Sequence, residues 1–283
     1  MAAKPSKKGA SGTPDIASFG GLVLAIGGIL LGQKLEGGGP EQIVRGSAAL
    51  IVLGGTLGAV LLGTPLGTIL GAARRLKDVF FETRLDPVGT TDEIIEYATK
   101  ARKHGIVSLE NEATEIADPF LRKALTLAVD GTDLQEIRKM MELEIAVAEH
   151  HAEAQAKVYE SAGGYSPTIG IIGAVIGLIL VMGNLSDIEK VGEGIASAFV
   201  ATIYGVGFAN VLCLPAAAKI KARAHARTEI NELILEGVVG IVEGLNPKLI
   251  RAKLEAYAKG KPAKAKAPAK AAPAQPEPAP VKG

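Results

Sequence analysis

The chain has 283 residues, 48% of them hydrophobic and 22% charged, with a formal net charge of +1 and one cysteine. A near-neutral total offers no electrostatic footprint for nucleic acid, and a single cysteine, Cys213, excludes a disulfide framework within the chain. A mean hydropathy of +0.27 fits a large soluble domain or a modest membrane protein, so the distribution of charge along the chain must decide.

Four windows lack charge: residues 16–33, 46–73, 161–186 and 194–218. A bilayer core needs about 17 to 25 apolar residues, and each window reaches that range. The first follows Lys4, Lys7 and Lys8 and so also fits a secretory signal peptide. No small-x-small cleavage site follows Leu31, which favours an uncleaved helix. Lysine and arginine mark the cytoplasmic side of short loops. They precede the first window, follow the second as Arg74, Arg75 and Lys77, and follow the fourth as Lys219, Lys221, Arg223 and Arg227. Both termini and the long polar segment are therefore expected in the cytoplasm. The fold class is an all-α membrane protein with four transmembrane helices and a helical cytoplasmic domain between the second and third spans. The expected divisions are an N-terminal tail at 1–15, spans one and two within 16–73, the polar domain at 74–160, spans three and four within 161–218, C-terminal helices at 219–258 and a tail at 259–283.

Within the polar segment, breaks fall at Asp86-Pro87, Gly105, Asp118-Pro119 and Gly131. Thr91 is read as the cap of a helix burying Ile94, Ile95 and Ala98, with Gly105 at its C-terminal turn. Pro119 suits the first position of the next helix, whose apolar stripe is Phe120, Leu121, Ala124, Leu125 and Ala128. Thr132 to Gln135 reads as a capping box opening a long helix that runs into the third span. After the fourth span the apolar period continues to Asn246-Pro247, followed by an amphipathic piece. From Lys259 the chain is mostly Lys, Ala and Pro, a composition that cannot offset the entropy of ordering, so this tail is expected to be disordered.

A helix that carries protons or sodium through a bilayer normally holds an ionisable residue at depth, and these windows hold none. Thr168, Thr202, Tyr204 and Asn210 supply the polar atoms of the third and fourth spans. Two readings stay open. Either they line a path whose titrating carboxylate belongs to a partner, or they only hydrogen-bond to neighbouring helices. Pro167 and Pro215 each free a backbone carbonyl at the cytoplasmic ends of these spans. Glycine pairs four apart, Gly28/Gly32, Gly54/Gly58 and Gly173/Gly177 among them, allow close packing within one subunit or between subunits. His104, His150, His151 and His225 lack metal-ligand spacing, and Gly37 to Gly39 has no phosphate-binding frame, so neither a metal site, a cofactor nor an enzyme is expected.

Residues 162–185 read AGGYSPTIGIIGAVIGLILVMGNL, residues 196–215 read ASAFVATIYGVGFANVLCLP, and residues 101–110 read ARKHGIVSLE. In this order the three stretches resemble the MotA/PomA stator subunits of the flagellar motor. The resemblance implies a bacterial inner-membrane protein, a pentamer around two copies of a MotB-like single-span partner that is anchored to peptidoglycan and carries the ion-binding aspartate. It implies that Arg102 and Glu110 contact the rotor switch protein FliG, and that Pro167, Thr202, Pro215, Ala174 and Tyr204 belong to the ion path and its gating. Ala174 falls where sodium-driven members carry threonine, which favours protons. The extended N-terminus and the Lys/Ala/Pro tail depart from the family pattern. An ExbB/TolQ-type energiser is the alternative; it would have three spans and an outside N-terminus, against which the four windows and the Arg102/Glu110 stretch count.

Overall fold

The computed structural model describes residues 13–82 and 85–258; the expected C-terminal tail and the first twelve residues, including Lys4, Lys7 and Lys8, lie outside them. A two-residue strand, β1 (Thr13–Pro14), leads to Asp15, whose carboxylate accepts the N–H groups of Ala17 and Ser18 and so starts α1 (Ile16–Leu35). No residue of α1 is buried, and it is apolar all round, as a membrane span in a single protomer must be. The second span is α2 (Gly46–Gly63), with a π turn at Leu50–Gly54. It stops where Pro65 forces Thr64 into an extended conformation. The second charge-free window thus crosses a helix break, and residues 66–73 belong to a separate amphipathic helix, α3 (Leu66–Phe80). β2 (Phe81–Glu82) follows and pairs antiparallel with β1, Thr13 opposite Glu82, a small sheet that the all-helical expectation does not contain.

In the polar lobe, α4 (Pro87–His104) begins one turn earlier than its sequence suggests. Asp86 caps it through Gly89 N–H and Pro87 takes the first position, while Thr91 lies buried inside the helix and donates to the Pro87 carbonyl. A 3-10 turn (Ile106–Leu109) and the short α5 (Glu110–Glu115) lead to α6 (Pro119–Val129), which buries the predicted stripe from Phe120 to Ala128. The next start also shifts. Asp133 caps α7 (Leu134–Gly183) through Gln135 N–H, while Thr132 belongs to the turn before it, its N–H closing the end of α6 onto the Leu127 carbonyl. The fourth span and its extension form α8 (Ile188–Val242), and α9 (Pro247–Ala258) packs back on the lobe. Ile94, Leu109, Leu121, Leu125, Ile137 and Met141 meet Leu233, Ile234, Ile250 and Leu254 in one core. The polar lobe is therefore built jointly by the segment between the spans and the chain after the last span. Each such side chain contributes roughly 1.5–3 kcal/mol on burial.

Both prolines are accommodated without a break. α7 continues through Pro167, and α8 passes Pro215 after a π turn at Phe208–Cys213, where the wider ladder sits beside the proline that withdraws an N–H. The two long helices touch backbone to backbone. A side-chain carbon at Gly205 would lie 2.6 Å from the Ser166 carbonyl and 3.0 Å from Gly170 Cα, and one at Gly177 would lie 2.8 Å from the Gly194 carbonyl. Gly173 meets Ala201 in the same seam, whereas Gly28, Gly32, Gly54 and Gly58 face open space within the protomer. The glycine pairs thus divide between internal packing and exposed helix surface.

Gly205→Val is expected to force α7 and α8 apart at a cost of roughly 1–3 kcal/mol or more, the range for overpacking. Thermal melting of the purified protein in detergent reads it, with Gly28→Ala as the comparison that leaves the melting temperature unchanged. Equal melting of the two variants would show that the close approach is not required.

Candidate functional site

The seam between α7 and α8 holds most of the sequence-derived ion-path residues. Gly170 faces Thr202 Cα and Gly177 faces Ala198, and Ala174 lies between these two glycines on α7, partly buried. The Thr202 hydroxyl donates to the Ala198 carbonyl at 3.3 Å and is partly buried, leaving its lone pairs free. Pro167 packs against Gly205. Gly163, one turn before Pro167, packs on Cys213 and Leu214 next to Pro215, so the two prolines stand at neighbouring positions on the paired helices. Pro215 itself points outward.

Tyr204 is placed differently. Its hydroxyl donates to the Ile43 carbonyl at 2.7 Å and accepts from the Arg45 N–H at 3.2 Å, so it anchors the start of α2 to α8. Thr168 and Asn210 bond to carbonyls of their own helices, Tyr165 and Val206 respectively. Two hydroxyls missing from the sequence-derived set are more unusual. Ser166, beside Pro167, and Thr56, in α2, are fully buried and have no hydrogen-bond partner among the described residues. A neutral hydroxyl in an apolar window gives no sequence signal of this kind, because its isolation depends on which helix lies across from it.

Arg102 and Glu110 lie at the far end of the lobe. Arg102 is in the last turn of α4, Glu110 opens α5, and Gly105, at φ +80°, makes the turn between them. Both are exposed and, among the described residues, neither forms a salt bridge. Their neighbours differ: Lys100 binds Glu112 at 2.9 Å, Arg251 binds Asp92 at 2.8 Å, and Glu236 binds both Arg138 and Lys253. Arg102 and Glu110 thus present two exposed charges of opposite sign on either side of the Gly105 turn.

A third cluster joins residues about two hundred positions apart. Asp15 is almost buried and pairs with Lys219 and, at 2.6 Å, with Arg223, both from α8. Lys219 also donates to Ser18, whose hydroxyl donates to the Val79 carbonyl, while Arg223 donates to the Phe81 carbonyl and Phe19 packs on Phe80. The cluster clasps the start of α1 and the end of α3 to α8. The Lys219 hydrogen bond holds the Asp15 carboxyl down at about 2, below its ordinary 3.8. A lowered carboxyl stabilises the fold fully above its unfolded value and loses that contribution as pH falls towards the folded value. Asp15→Asn is therefore expected to lower the melting temperature in detergent at pH 7, with the gap to the parent protein closing as pH falls from about 4 to about 2. Identical melting at pH 7 would remove the clasp's structural role.

Comparison with known proteins gives a consistent picture. Residues 112–233 match the model of the MotA/TolQ/ExbB proton channel family. Motility protein A of Helicobacter pylori is 35% identical over 251 residues, covering 88% of this chain and 98% of the relative. Chemotaxis protein PomA of Vibrio alginolyticus is 31% identical over 243 residues, covering 86% and 95%. Among solved structures, MotAB of C. jejuni superposes with a TM-score of 0.82 at 33% identity, covering 86% of this chain and 95% of that one. The flagellar MotAB stator complex of Bacillus subtilis gives 0.78 at 32% identity, covering 86% and 96%.

Proposed function

Because the chain belongs to the MotA/PomA members of the MotA/TolQ/ExbB proton channel family, we propose that it is a flagellar stator subunit that completes an ion channel with a MotB-type partner and turns ion flow into torque. The observation that carries this reading is the α7/α8 seam. It offers Thr202, the backbone around Pro167 and the buried Ser166 hydroxyl, but no carboxylate, histidine or lysine. A conducting complex then needs its carboxylate from another chain. The exposed apolar faces of the spans, including Ile171, Ile172, Val175, Ile179, Phe199 and Ile203, suit lipid, neighbouring subunits and a single-span partner.

In the proposed assembly five copies surround two partner helices in the bacterial inner membrane, with both termini and the polar lobe in the cytoplasm. The carried ion is the proton: Ala174 supplies no side-chain oxygen. Arg102 and Glu110 meet complementary charges on FliG, a role supported by their exposure and by the lack of internal partners among the described residues. One charge crossing 100 mV releases about 2.3 kcal/mol. An exposed ion pair contributes roughly 0–1 kcal/mol, so the energy of one transfer exceeds that of the contacts it must remake. In this reading the chain is a transducer and not an enzyme.

Reversing Arg102 or Glu110 alone is expected to weaken swimming, and the double reversal to abolish it, with membrane abundance unchanged. Normal motility of the double variant would end the rotor-contact assignment. Reconstituted without its partner, the protein is expected to conduct no protons; robust flux would show that a carboxylate from outside is not needed. Swimming at normal speed in sodium-free medium checks the choice of ion, and arrest there would reverse it.

A further inference from the structure

Three helix ends meet beside Arg102 around a cavity of about 380 Å³. Ala98, Ala101 and Ile106 line it from α4 and the following turn, Ala128 from α6, Ile241 from the end of α8 and Leu245 from the turn after it. The helices stop at Gly105, Gly131 and Gly244, each with a positive φ of 70° to 80° that lets the chain reverse there. Polar backbone groups around the cavity are largely in use. Gly131 N–H binds the Ala128 carbonyl, Thr132 N–H binds Leu127, Gly244 N–H binds Ile241 and Leu245 N–H binds Gly240. Alkyl walls over satisfied carbonyls can receive a hydrocarbon group without stranding a polar one. The volume lies near the lower end of the ~300–1,000 Å³ of small-ligand pockets. Arg102 is the charged member of the lining.

We propose that this cavity is a socket for one large apolar side chain of a helix on the rotor protein, with a carboxylate beside it on that helix to meet Arg102. The inference rests on the reading of Arg102 and Glu110 as the rotor contact, and it specifies what the rotor must present: an apolar residue set between an acid facing Arg102 and a base facing Glu110. Charge complementarity selects this occupant over a neutral peptide, since the rim carries an exposed cation and the adjoining turn an exposed anion, neither with a salt-bridge partner among the described residues. The two parts do different work. Exposed charges steer the encounter and are screened by salt, whereas a buried apolar anchor slows release.

The test uses cells expressing the full chain with its partner, and reads membrane abundance, dwell time of fluorescently labelled stator units at the motor, and torque on a tethered bead. Ala101→Phe fills the socket and leaves both charges in place. Its expected effect is a dwell time shorter by roughly ten-fold, the size of a single anchor's loss, with abundance unchanged; Ala101→Ser, which leaves the space open, should behave as the parent. Normal dwell and torque in Ala101→Phe would overturn the socket. Arg102→Glu separates the two ideas: if it stalls the motor while Ala101→Phe does not, the charge contact stands and the socket falls, and if neither variant has an effect, both fall. Should Ala101→Phe fail to reach the membrane, Ile106→Ala decides, because it hollows the same socket. A shortened dwell in that variant supports the proposal, and an unchanged dwell refutes it.

Discussion

The rest of the structure depends on the backbone contact between α7 and α8. Gly205 lies over Ser166 and Gly170, and Gly177 over Gly194, at distances that admit no side chain. In lipid no hydrophobic force drives two apolar helices together, so close van der Waals approach must hold them, and small residues permit it. The same two helices then leave the membrane together and supply Ile137, Met141, Leu233 and Ile234 to the core of the polar lobe. With about 1.5 Å of rise per residue, α7 extends for roughly 75 Å. Neither Pro167 nor Pro215 interrupts this pair. α7 and α8 thus run as two continuous, mutually packed helices from the Thr202 region towards the part of the lobe where the end of α8 lines the cavity beside Arg102.

The outer spans are held by different physics. α1 buries none of its residues, and its attachment is concentrated at its first turn, where Asp15, Ser18 and Phe19 engage α8 and the end of α3. A polar clasp of this kind fixes one end of a helix and leaves its length available to whatever surrounds the protomer. Gly20, Gly27, Gly28 and Gly32 have open space beside them, in contrast to the filled seam of α7 and α8. Small residues thus serve two settings in one chain, and only the helix across the gap tells them apart.

That distinction marks how far the sequence could be read. The spans, the shared apolar stripe of α6 and the long α7 were legible because each is a local pattern: a run without charge, a helical period, a proline at a helix start. Helix starts were less legible where two candidates adjoined. Thr132 and Asp133 both suit a cap; Asp133 is the one that caps α7, while Thr132 belongs to the turn that closes α6. Pro65 was legible as a residue but hidden inside a charge-free window, where hydropathy alone does not register a broken helix. The Asp15 clasp was out of reach, since its partners are separated by more than two hundred residues and each alone looks like a charge at a membrane edge. Tyr204 shows the converse: its hydroxyl signalled polar function, and the fold spends it on Ile43 and Arg45.

The polar content of the seam also bears on why the titrating group belongs on a separate chain. A carboxylate that loads and releases a proton in each cycle needs a pKa that responds to its surroundings, and a fixed charge nearby would bias it towards one state. The α7/α8 seam contains hydroxyls and backbone carbonyls but no fixed charge. A hydroxyl can bond to either form of a partner's carboxyl, donating to the ionised oxygen or accepting from the protonated one, whereas a carbonyl can only accept from the protonated form. Thr202, only partly buried, is the hydroxyl of the seam that remains within reach of a neighbouring chain, whereas Ser166 is closed off inside the protomer. An ionisable residue built into the wall would instead neutralise or pair with the carrier and hold it in one state. In the proposed channel the spans' lack of fixed charge therefore fits a carrier supplied by another chain, and the long paired helices connect that region to a part of the lobe where exposed charges stand.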